Sequence, residues 1–69
     1  MKISARNTLK GSVKAVNSGT INTEVVVEVA PGVEVVAVIT KASAESLGLA
    51  EGKEVYAVIK ASQVLLATD

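Results

Sequence analysis

The sequence predicts an all-β barrel of five short strands carrying one short helix, and three observations predict it. Apolar residues alternate with polar ones at a period of two through most of the chain. Glycine, proline and asparagine punctuate the runs where tight turns need them. One stretch, Thr40 to Leu49, abandons the alternation for helix-forming residues.

The first run begins at Leu9, where Leu9, Gly11, Val13 and Ala15 alternate with Lys10, Ser12 and Lys14, the pattern of a strand with one wet face. Asn17-Ser18-Gly19-Thr20 then reads as a hairpin turn, with Gly19 the residue best able to take a positive φ. The second run, Ile21 to Ala30, puts Ile21, Thr23, Val25, Val27 and Val29 on one face and Asn22, Glu24, Val26 and Glu28 on the other. Pro31-Gly32 supplies the next tight turn. The third run, Val33 to Thr40, sets Val33, Val35, Ala37 and Ile39 against Glu34, Val36 and Val38, so the second and third strands form a long hairpin.

Thr40 or Ser43 caps the helix that follows, Ala42, Ala44, Glu45 and Leu47 favour it, and Gly48 ends it. After a turn at Glu51-Gly52-Lys53-Glu54, a fourth strand alternates Val55, Ala57 and Ile59 with Tyr56, Val58 and Lys60, and Val64 to Ala67 forms a fifth. Three strands, a helix, then two strands is the order of the five-stranded Greek-key barrel of the OB class, with its helix between strands 3 and 4. An SH3-like barrel or a small open sheet shares part of this pattern.

A chain of 69 residues makes one domain, 1–69, and one this short buries only about 60% of the surface its unfolded form exposes. Disulfides, a structural metal or oligomerisation usually compensate; cysteine and histidine are both absent, which leaves oligomerisation. Val26, Val36 and Val38 place apolar surface on a nominally wet face, which points to a subunit interface rather than to β-favouring residues on an open sheet.

Seven basic and seven acidic residues cancel, so the chain lacks the positive field of a nucleic-acid binder, and its single aromatic, Tyr56, makes no stacking platform. No apolar run reaches the roughly 18 residues that span a bilayer, and Met1-Lys2-Ile3-Ser4 leads into no signal-peptide core. A cytoplasmic protein with neither nucleic-acid nor membrane partners is therefore expected.

The chemistry available is that of binding. With no histidine, glutamates spread singly and serines without a base, no acid-base or nucleophilic machinery assembles, so no enzyme, no cofactor and no direct protein–metal ligand is expected. The donors stand out instead. Arg6, the only arginine, offers a rigid five-donor fork and Lys60 a point charge; Ser4, Thr40, Ser43 and Ser62 offer hydroxyls, and the start of the helix offers free N–H groups. Such a set suits a small oxyanion. Taken singly, each has a plainer reading: a solvated arginine, an edge lysine, two helix caps.

Ser4-Ala5-Arg6-Asn7 with Leu9 and Gly11, Gly19 with Asn22 and Glu24, Ile39-Thr40 to Ser43 leading into Leu47-Gly48-Leu49, and Gly52-Lys53 with Lys60-Ala61-Ser62 together carry a resemblance. Over essentially its whole length the chain resembles the molbindin, or Mop, family of TOBE-type molybdate-binding domains. The resemblance implies binding of molybdate, with tungstate as its mimic, for intracellular storage or homeostasis. It also implies a homo-oligomer, a hexamer built as a trimer of dimers, with sites between subunits. Carried over by motif, Ser4, Arg6, Lys60 and the Ala61 amide come from one subunit, Thr40 and Ser43 from a neighbour, with Ser62 nearby and Asn7 supporting the loop. The alternative is a structural OB-type assembly module that binds generic anions or nucleic acid.

Overall fold

Val13, Val25 and Val27 meet at the centre of the molecule, each at most 5% exposed, and the strands that carry them set the architecture. The computed structural model describes residues 1–69. Its elements run β1 (Asn7–Ser18), β2 (Asn22–Ala30), β3 (Val33–Thr40), α1 (Lys41–Leu47), β4 (Glu54–Ile59) and a 3-10 turn (Ala61–Gln63). The strands form one antiparallel sheet in the order β3-β2-β1-β4. The result is a curled four-stranded sheet with one short helix, an OB-like fold.

β1 does most of the curling. Its first half pairs with β4 from Asn7 to Ser12 and its second half with β2 from Ser12 to Ser18, so one strand serves both walls. A register shift between Val13 and Ala15 bends it, and beyond the bulge Val16 packs on the core. Gly11 sits at the crossing, where a Cβ would lie 2.4 Å from the Glu28 carbonyl oxygen; only glycine lets the strands approach so closely. On β2, Thr23, Val25 and Val27 are buried as their alternation predicts, whereas Ile21 precedes the strand and is 75% exposed.

The turns follow two different rules. Gly32 takes the left-handed conformation, φ 75°, at the β2–β3 turn. Gly19 does not, contrary to the sequence expectation; it is required because a Cβ there would lie 2.7 Å from the Asn22 carbonyl that its own N–H donates to. At the helix, Thr40 is the cap: its hydroxyl accepts from the Ser43 N–H at 3.0 Å. Gly48, φ 62°, closes the far end, where the Lys53 ammonium donates to the Leu47 and Gly48 carbonyls.

The fifth strand is the main correction. Val64 to Ala67 form no strand in the single chain, and Leu65 and Leu66 are 92% and 93% exposed. A strand exists only by pairing, and after the turn at Ala61–Gln63 this run meets no edge. The sheet consequently stays open between β3 and β4. A groove of about 490 Å³ lies there, lined entirely by apolar residues, among them Val35, Ile39, Leu49 and Ile59. Only 5 of the 69 residues are buried, which is the shortage of core that the chain length implies. No helix is long and apolar enough to cross a membrane.

Candidate anion-binding site

The pairing of β1 with β4 decides where the cations lie. Its last pair is Asn7 with Ile59, and the chain neighbours of that pair just beyond the ladder are Arg6 and Lys60. Asn7 and Ile59 are half-buried and point inward; Arg6 and Lys60 are exposed, as alternation requires. Like charges brought to the same end of a ladder repel unless something negative lies between them.

No carboxylate of the chain does so. The three ion pairs join Lys10 to Glu54 and Lys14 to Glu28 and Glu34, further along the sheet. Hydrogen bonds donated to Glu54 and Glu34 respectively raise the Lys10 and Lys14 ammonium pKa values above the usual lysine value. Arg6 and Lys60 enter no ion pair and no side-chain hydrogen bond. Lys2 and Lys41 likewise enter no ion pair.

Around the two cations lie groups that donate. Ser4 is exposed just before β1, and Lys60 leads straight into the 3-10 turn, whose first residue, Ala61, presents a backbone N–H and whose second, Ser62, is exposed. One side-chain contact spans the pair: Asn7 Nδ2 donates to the Ile59 carbonyl at 3.3 Å. The fold therefore gathers Ser4, Arg6, Lys60, Ala61 and Ser62 at one end of the molecule.

Thr40 and Ser43 are elsewhere. Thr40 ends β3 beside Asn22, at the Ser18 end of β1, whereas Arg6 precedes the Asn7 end. The twelve residues of β1 lie between, a contour of roughly 40 Å at the usual rise per residue. Thr40 Oγ1 donates to Ser43 Oγ at 2.8 Å while accepting from the Ser43 N–H, which leaves the Ser43 hydroxyl proton free to point outward. One chain thus presents two half-sets of donors at opposite ends, and no ion of a few ångströms reaches both.

Comparison with known proteins bears on the same residues. The TOBE domain family model matches residues 3–66. The chain is a TOBE domain of the molbindin (Mop) family. This Mop chain is 50% identical over 66 residues to molybdenum-pterin-binding protein 3 of Clostridium pasteurianum, covering 96% of itself and 97% of that protein. Among solved structures it is similar to MopII of Clostridium pasteurianum, with a TM-score of 0.91 at 42% identity over 97% of this chain and all of that one. A molybdate-binding protein from Sporomusa ovata gives the same TM-score at 38% identity, over 99% of this chain and 100% of its own.

Proposed function

We propose that this protein binds molybdate, and its near-isosteric mimic tungstate, at sites shared between subunits of a homo-oligomer, and serves as a cytoplasmic store of the oxyanion. The observation that carries the reading is that Arg6 and Lys60 both adjoin the last β1–β4 pair, Asn7 with Ile59, and no carboxylate pairs with either. A doubly charged tetrahedral ion balances both. Arg6 supplies two parallel N–H bonds to one side of it, Lys60 the second positive charge, and Ser4, the Ala61 amide and Ser62 neutral donors. Ser43 of a neighbouring subunit completes the shell with its free hydroxyl proton, oriented by Thr40, which gives its own proton to Ser43; within one chain both lie at the far end of β1.

The two charged groups can only donate, and that favours fully deprotonated ions. Hydrogen phosphate carries a proton that the Arg6 and Lys60 donors cannot accept, whereas molybdate, tungstate and sulfate carry none at neutral pH. Sulfate, with shorter bonds, leaves donors stretched beyond good hydrogen-bond distance.

Assembly follows from the missing strand. The run Val64–Ala67 supplies the fifth strand to a second copy, filling the apolar groove between β3 and β4 and pairing with an edge left open there. Val36 and Val38, 59% and 65% exposed on β3, also line that groove and extend its apolar surface at the contact between copies, from which the hexamer is built. The family membership and the molybdate-binding relative support the ligand assignment.

The direct test is Arg6→Ala. Losing two charge-assisted hydrogen bonds worth about 1.5–3 kcal/mol each weakens molybdate binding by roughly a hundredfold to ten-thousandfold, while light scattering shows an unchanged assembly mass. Binding at wild-type affinity in this variant would remove Arg6 from the site.

A further inference from the structure

An anion clamp needs its two cations held at the right separation before the ion arrives; otherwise ordering them subtracts from affinity. Little holds Arg6. No backbone hydrogen bond outside the helices and strands involves residues 1–6, and the Arg6 side chain has no partner of its own. The first anchored residue is Asn7, and its anchor is unusual. Asn7 pairs with Ile59 through the backbone register and, in addition, its side-chain Nδ2 donates to the Ile59 carbonyl at 3.3 Å. The neighbours of these two residues in the chain are Arg6 and Lys60.

Asparagine is a poor choice for the first position of a strand, where a β-branched residue fits the pleated backbone better. What it adds is an amide that reaches across the ladder. We infer that Asn7 is a positioning residue for the anion site: by tying β1 to β4 at their last pair it sets the separation of Arg6 and Lys60. The inference rests on the molybdate reading given above. It assigns to Asn7 no contact with the ion. A half-buried amide–carbonyl bond of this kind is worth enough, net, to change affinity by about threefold to tenfold.

The experiment is calorimetric titration with sodium molybdate of the wild-type oligomer, of Asn7→Ala and of Asn7→Thr, the last retaining strand propensity if the alanine variant folds poorly. The same substitutions are then made in an Arg6→Lys background, where a flexible ammonium replaces the rigid fork and needs less prepositioning. The inference expects a threefold to tenfold loss from either Asn7 change in the wild-type background, and less than about twofold in the Arg6→Lys background. Wild-type affinity in both Asn7 variants overturns it. So does an equal loss in both backgrounds, which makes the role of Asn7 purely structural. No binding by the wild-type protein overturns the molybdate reading itself and this inference with it.

Discussion

The exposed tail offers the sharpest test of how the fold is completed. Leu65 and Leu66 are 92% and 93% exposed in the single chain, and a strand presents alternate residues to opposite faces, so in the proposed strand exchange one leucine of each tail would enter the groove of the other copy. Full burial of a leucine contributes about 1.5–3 kcal/mol. A two-fold dimer exchanges two tails, so the leucines alone supply about 3–6 kcal/mol to association. Replacing both by serine in each chain, Leu65→Ser with Leu66→Ser, should therefore weaken the dimer by roughly a hundredfold to ten-thousandfold. Sedimentation velocity across a concentration series reads this directly: the variant should dissociate at concentrations where the wild type keeps its mass. A variant with unchanged mass down to the lowest detectable concentration would refute strand donation.

Three further outcomes follow from the same structure. Thr23 is 0% exposed and its hydroxyl has no hydrogen-bond partner, so Thr23→Val should raise the thermal midpoint, by the release of about 1–2 kcal/mol of unmet desolvation; a lowered midpoint would show that the hydroxyl is satisfied. Thr40→Val removes the helix cap and should cost about 1 kcal/mol, a drop of roughly 4–8 °C for a domain of this size, with Thr40→Ser close to wild type. The raised pKa values of Lys10 and Lys14 stabilise the fold below the ordinary lysine value of 10.5, and this contribution is lost as pH climbs through the raised values. Melting curves should thus show no loss from these groups between about pH 7 and pH 9 and a decline above 10.5, smaller in Lys14→Gln.

Much of the barrel was legible because one-sided burial imposes alternation. Thr23, Val25 and Val27 face inward, and the Pro31-Gly32 turn and the Gly48 helix end stand where their residue types place them. Other features depend on what lies across space rather than along the chain. Gly19 looked like a turn residue needing positive φ, but the approach of the Asn22 carbonyl is what excludes a side chain. Val64–Ala67 has the composition of a strand, yet composition cannot supply the neighbouring edge. The site shows the same division. Arg6 and Lys60 stood out by residue type, while their juxtaposition, 54 positions apart, follows only from the pairing of Asn7 with Ile59. The separation of Thr40 and Ser43 from them became visible only with the direction of β1.

The central claim is that unpaired cations gathered at one end of a neutral, curled sheet make an oxyanion site selective by size. Its most direct test is calorimetric titration of the purified protein with molybdate, tungstate and sulfate in one buffer, alongside the assembly mass by light scattering. The account predicts tight binding of molybdate and tungstate, weak or no binding of sulfate, and a mass of six chains. Silence toward all three ions, or equal binding of sulfate, would contradict it.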